Sequence, residues 1–347
     1  MRTKNAIPFL SVLAATGCRG PEDYMHAGGP GAERIAWLGS FALIVFGATC
    51  VVMWLLIGWL AVRNRGTFDE HAPVDDEGGQ RWIFIGGLAI PVVVLATALG
   101  MTLYVSTLFP MAAGHEGASE IRVTGHQWWF DARYLAANSE ECGKALVERQ
   151  PDVAVSVPTE IHVPVGTPID VELVSHDVIH SFWIPKLHGK VDMVPGQTNH
   201  VRLEATRPGV FEGQCGEFCG VEHARMRVEV VAQSPYEFDQ WLAAQRADAA
   251  EPTGVKELAG RDVFGRAACP FCHQIRGTGA HGNIGPDLTH IGSRHRIAGG
   301  SLENNTANLA AWITHAQSLK PGCQMPDLTR FSGEELLALV AYLQALR

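Results

Sequence analysis

Two stretches of the chain are apolar almost without a break, 35–62 and 82–108. Each exceeds the ~20 residues that a helix needs to cross the hydrocarbon core of a bilayer. Neither carries the polar stripe that a helix on a globular core keeps toward water. Trp37, Trp54, Trp59, Trp82 and Tyr104 fall toward their ends, where amphipathic rings favour the lipid–water boundary. The pattern predicts a two-helix transmembrane hairpin over 34–109, kinked at Pro91. Arg63, Arg65 and Arg81 stand at the membrane ends of the connecting loop, so that loop is expected inside and the rest of the chain outside.

Beyond residue 120 the period shortens to two. The segments 121–124, 160–165, 169–174, 200–204 and 226–231 read as strands, and the pairs Pro195-Gly196 and Pro208-Gly209 mark turns. Short strands at this pace predict a β-sandwich or barrel over 110–246. A polar segment, 136–152, containing Cys142, interrupts it. A short helix is expected within 235–250 with Trp241 and Leu242 inward, and 247–254 reads as a linker. The rest, 255–347, reads as a final domain. Within it, 258–264 and 334–346 read as the two terminal helices, with Gly260, Phe264 and Tyr342 as candidate contacts. At the other end, 1–20 reads as an export signal, with Arg2 and Lys4 before an apolar run. Ala15-Thr16-Gly17-Cys18 fits a lipoprotein cleavage site that would leave Cys18 lipidated; an ordinary signal peptide is the other reading.

Charge refines this division. The 347 residues carry a net charge of −9, but 254–347 holds nine basic and seven acidic side chains, a balance of +2, which leaves −11 for the remainder. An acidic outer domain attracts basic proteins and repels nucleic acid. A slightly basic terminal domain would dock on it with a component that salt weakens.

The chemistry concentrates in 211–226. Cys215, Cys219, His223 and Met226 lie within twelve residues, with a further imidazole at His180. Thiolates, imidazoles and a thioether select copper over magnesium or calcium. Zinc seldom recruits a thioether, and a Cys215–Cys219 disulfide would leave His223 and Met226 without a purpose. Further on, Cys269-Pro270-Phe271-Cys272-His273 is a c-type haem attachment motif. Met325, in 321–326, offers a thioether as second axial ligand. Of the other cysteines, Cys50 belongs to the membrane run, and Cys142 and Cys323 are left to pair or stay free. His26, His71, His115, His281, His290, His295 and His315 lack ligand-like neighbours and are expected at the surface.

The run Cys215-x3-Cys219-x3-His223-x2-Met226, with His180-Ser181-Phe182-Trp183, resembles the dinuclear CuA site of cytochrome c oxidase subunit II. With the appended haem motif, it resembles the caa3 type with a fused class I cytochrome c, which implies that the terminal helices 258–264 and 334–346 cross. The resemblance implies a cupredoxin-like Greek-key barrel whose metal loop joins its last two strands, with His180 on an earlier loop. It implies bridging by Cys215 and Cys219, terminal ligation by His180 and His223, and weak ligation by Met226 and the Glu217 carbonyl. The Glu217 side chain would face a magnesium or manganese site shared with subunit I, and Asp192 would also face that subunit. Trp128, in Gly125-His126-Gln127-Trp128, would take in electrons, core packing being the other reading. Pro286 would orient the axial His273 through its carbonyl. The implied role is a relay from a soluble cytochrome c or a quinol–cytochrome c reductase to haem a of subunit I, in a bacterial plasma membrane complex that reduces oxygen and pumps protons. A CuA-bearing nitric oxide reductase subunit and a freestanding membrane-anchored carrier stay open as alternatives.

Overall fold

The computed structural model describes residues 20–63, 76–108, 121–135 and 153–347. Cys18, Cys142 and the interruption at 136–152 lie outside the described residues, as do all but Gly20 of the expected signal.

Helix α1, Pro30–Arg63, is 34 residues long, roughly 50 Å at the usual rise. The second apolar segment runs as α2 (Asp76–Phe84), a π-helical turn (Ile85–Ala89) and α3 (Ile90–Thr107). Pro91 has no N–H to give the carbonyl one turn back, and the widened turn falls where that bond would be. Arg34 donates to the Leu108 carbonyl, so the two apolar segments form a hairpin. Trp54, Leu55, Ile83 and Val93 are all more than half exposed, an apolar surface that calls for lipid. Both helices are long and apolar enough to cross a membrane.

The middle of the chain is a two-sheet, cupredoxin-like domain. Its strands are β1 (Ile121–His126), β2 (Trp129–Leu135), β3 (Val153–Pro158), β4 (Glu160–Pro164), β5 (Ile169–Ser175), β6 (His180–Trp183), β7 (Val191–Met193), β8 (Asn199–Leu203), β9 (Gly209–Cys215) and β10 (Arg227–Gln233). One sheet runs β3-β2-β1-β5-β8 and the other β4-β10-β9-β6-β7. The parallel pairs β1–β5 and β4–β10 are made by connections that leave one sheet and return to it. Between the sheets, Phe130 meets Phe182 edge-to-face at 6.0 Å in a core with Val123, Leu173 and Phe211. Helix α4 (Pro235–Arg246) starts on a capping box of Ser234 and Glu237. It lays Phe238 and Trp241 on the domain, with Trp241 stacked on His162 at 3.9 Å and Leu242 beside it.

The terminal domain holds α5 (Val255–Arg266), α6 (Cys269–Cys272), α7 (Thr306–Leu319) and α8 (Gly333–Ala345). Helices α5 and α8 cross at Gly260, where a Cβ would lie 2.0 Å from the Ala338 carbonyl oxygen. The rings of Phe264 and Tyr342 meet at 5.9 Å beside that crossing. One of the histidines expected at the surface is buried: His290, with Nε2 bonded to the Ala247 carbonyl. His295 is exposed, as expected, and its ring reaches carboxylates of the β-domain.

Candidate metal centre

The loop between β9 and β10 is closed at its base by a hydrogen bond from the Cys215 amide to the Met226 carbonyl. Gly216 donates to the Ser181 carbonyl, and Phe182 pairs with Cys215 in the sheet. Both contacts bring β6, and hence His180, under the loop. His180 opens β6, paired with Met193, instead of standing on a loop.

The sulfurs of Cys215 and Cys219 are 3.8 Å apart, well beyond a disulfide's ~2 Å. His180 Nδ1 lies 3.9 Å from the Cys215 sulfur, and His223 Nδ1 lies 3.7 Å from that of Cys219. Met226 Sδ is 3.9 Å from Cys219, and the Glu217 carbonyl oxygen is 3.2 Å from Cys215. Each sulfur thus has its own imidazole and its own weak donor. His180, Cys215, Cys219 and Met226 are all buried. The Cys219 thiol, then the His180 ring, hold Cys215 well below the ordinary thiol range, while Cys215 pushes Cys219 up, so Cys219 keeps its proton. A metal that replaces that proton meets a thiolate set already converged.

Asp177 holds the copper-side imidazole, and the sequence reading missed it; its only signal is a carboxylate three residues before His180. Its Oδ1 meets His180 Nε2 at 2.7 Å, which turns Nδ1 toward the sulfurs. Burial alone would lower His180, but Asp177 and Cys215 outweigh it and leave the ring raised. The Gln127 amide donates to the other Asp177 oxygen at 2.7 Å. Next to it, Trp128 Nε1 donates to the Cys219 carbonyl at 2.9 Å, and the indole is 7 % exposed. On the outer side, Lys190 bridges the carboxylates of Asp192 and Glu217 at 3.1 and 3.0 Å.

A cavity of about 220 Å³ lies between the terminal domain and the β-domain, lined by Cys269, Cys272, His273 and Met325, among others. His273 Nδ1 donates to the Pro286 carbonyl at 2.8 Å, which leaves Nε2 as the ring's lone-pair nitrogen. Burial lowers the pKa of His273 and so favours the neutral, ligating ring. The buried Nε of Arg294, at the same cavity, has no partner among the described residues. These features fit a covalently held haem: two thiols, two axial donors and a guanidinium for a carboxylate. Trp128 lines this cavity too.

Comparison with known proteins gives two family matches, "Cytochrome C oxidase subunit II, periplasmic domain" over 119–233 and "Cytochrome c" over 258–347. Cytochrome c oxidase subunit 2 of Alkalihalophilus pseudofirmus is 35% identical, over 98% of this chain and 96% of its own length. Those of Bacillus sp. (strain PS3) and Bacillus subtilis are 28% and 26% identical, over 82% and 98% of this chain and 80% and 92% of their own lengths. Fold and site together define an electron-transfer protein in which a copper-binding cupredoxin domain and a haem c domain follow two apolar helices. The chain belongs to the cytochrome c oxidase subunit II family. It is one subunit of an oxidoreductase complex whose subunit I is the implied partner.

Proposed function

We propose that His180, Cys215, Cys219, His223 and Met226, with the Glu217 carbonyl, hold a dinuclear copper centre. Cys269 and Cys272 attach the haem, and His273 and Met325 are its axial ligands. When bound, these groups supply one-electron redox chemistry. The protein's own part is to fix the donors in advance. Asp177 sets the His180 ring, Pro286 sets the His273 ring, and the Cys215–Met226 backbone bond sets the loop. The observation that carries the relay reading is Trp128, which bonds Cys219 through its indole N–H and lines the haem cavity as well. A conjugated ring in that position favours electron passage between the domains over core packing alone.

The donor is a soluble cytochrome c or a quinol–cytochrome c reductase, and the acceptor is haem a of subunit I. Oxygen reduction and proton pumping belong to the assembled complex. The relatives bear the name of an oxidase subunit, which favours this reading over a nitric oxide reductase or a freestanding carrier. The Glu217 and Asp192 carboxylates, drawn together by Lys190, offer hard oxygen donors suited to magnesium or manganese at the subunit I interface. The helices anchor the chain in the bacterial plasma membrane, with Cys18 lipidated and both redox domains on the outer face.

Metal analysis and a haem stain of a denaturing gel test the ligand sets. The expected result is two coppers and one haem that survives denaturation. Cys219→Ala removes a bridge and should abolish the copper pair, while Met226→Leu should keep both coppers and only shift their potential. One copper in a fully loaded sample, or haem lost on the gel, contradicts the assignment.

A further inference from the structure

Lys320, at the end of α7, is 3 % exposed. Its ammonium has no carboxylate in ion-pair range among the described residues; it donates to three carbonyls instead. Two belong to the copper domain, Trp128 at 2.7 Å and Arg225 at 3.1 Å, and the third is Ala298 at 3.0 Å. An ammonium has three protons, so every donor is used. A buried cation is tolerated only when it is satisfied in this way. Burial pulls its pKa down to about 8, so it is largely charged at neutral pH.

The contact around Lys320 is as close as chain geometry permits. Gly299 and Gly300 have φ of +66° and +80°. A Cβ on Gly299 would lie 2.4 Å from the Trp128 oxygen, and one on Gly300 would lie 2.6 Å from Arg227 Cβ. The Arg227 amide donates to the Gly299 carbonyl at 2.9 Å. A second, separate contact lies where Glu160 and Glu229 stand opposite each other on paired strands. The haem domain covers them with the His295 amide, 2.9 Å from Glu160, and Arg296 Nε, 2.5 Å from Glu229.

We propose that Lys320 is a positioning residue that pins the haem domain in one seat on the copper domain, with the Trp128 backbone as its anchor. The fused cytochrome is then a built-in donor that does not undock during turnover. This rests on the relay reading for its purpose, though not for its geometry. It also changes the expectation drawn from net charge. Salt screens exposed charges strongly and buried contacts little, and the part of the seat around Lys320 is made of a buried ammonium, backbone bonds and glycine contacts, with the partly exposed Arg296–Glu229 pair beside it.

Two experiments on the full chain, loaded with copper and haem in detergent, decide it. In the first, the wild-type protein is treated with an amine-reactive ester and its peptides are weighed. Exposed Lys256 should label at once and Lys320 only after denaturation; equal labelling rates overturn the seat. In the second, flash-induced transfer from haem to copper is followed against salt and viscosity. Wild type should be insensitive to both. Lys320→Met, with haem and copper spectra unchanged, should lower the equilibrium constant of the seat about tenfold or more, as expected when a charge-assisted hydrogen bond is lost, and so slow the transfer measurably. Its rate should also become dependent on salt and viscosity, and Lys320→Arg, which keeps the charge, should restore most of it. A wild-type rate that falls with salt, or a Lys320→Met rate equal to wild type, overturns the proposal. Protected Lys320 with no transfer in wild type would uphold the seat and reject the relay.

Discussion

Glu160 shows how a single carboxylate depends on partners from two domains. Burial pushes its pKa up, but the bond to His162 and the amide and ring of His295 outweigh burial and leave it below the ordinary 4.5. A depressed folded-state value means that the ionised form stabilises the fold. That contribution is complete above pH 4.5 and is lost as the pH falls through the folded value. Denaturation midpoints measured from pH 7 down to 3 should therefore drop below 4.5. Glu160→Gln should lower stability by about 1–3 kcal/mol at pH 7 and flatten that drop; an unchanged acid profile would count against the clamp. Residues of this kind are hard to read from sequence. Cys215, Cys219, His223 and Met226 announced themselves because a metal loop needs its donors close in the chain. So did Cys269, Cys272 and His273. Lys320, His295 and Asp177 carry no such local mark, because their meaning depends on carbonyls and rings brought near only by the tertiary fold.

At the scale of elements, short β-branched runs between turn signals were legible even where both faces are buried, as in β4, and other strands were not. The segments read as strands fall in β1, β4, β5, β8 and β10. Strand β2, Trp129-Phe130-Asp131-Ala132-Arg133-Tyr134-Leu135, buries three successive residues, including the paired Asp131, so its polar positions do not alternate with its apolar ones. Strand β9 contains Gly213, which reads as a breaker. It is there because a Cβ would lie 2.2 Å from Ile184 Cδ1 and 2.4 Å from the Trp183 oxygen. Helix α7 was missed as well; it bends at His315, whose φ and ψ leave the helical range. The α5–α8 crossing was expected from the resemblance to class I cytochromes c, with Gly260, Phe264 and Tyr342 as its candidate contacts. It yields a paired prediction. Gly260→Val must push a side chain against the Ala338 backbone, which cannot yield, and should cost about 1–3 kcal/mol or more. Gly265→Ala, with nothing within 4 Å of its Cβ position, should be neutral or stabilising by up to about 1 kcal/mol. Thermal unfolding of the haem domain, followed by its visible spectrum, checks both; equal midpoints for the two variants would refute the crossing.

Across the whole molecule, the apolar helices and the β-domain followed from changes in period, from unbroken apolar runs to alternation, and the haem domain followed from its Cys269-x2-Cys272-His273 motif. How the copper and haem domains meet did not. Net charge predicted an electrostatic component to docking that salt weakens; the fold adds buried polar contacts, Lys320 on the Trp128 and Arg225 carbonyls among them, that charge totals do not show. Trp128 lies at that contact, and the account stands or falls on whether electrons use it to reach the copper. The most direct test is stopped-flow reduction of the complete protein by an external cytochrome donor, with haem and copper followed separately. Met325→His should keep the haem attached but lower its potential, because an imidazole favours ferric iron more than a thioether does. The account predicts that copper reduction in this variant slows together with haem reduction, while a small chemical reductant still reduces the copper at the wild-type rate. Copper reduced by the cytochrome donor at the wild-type rate in Met325→His would show that electrons bypass the haem domain, and would contradict the relay.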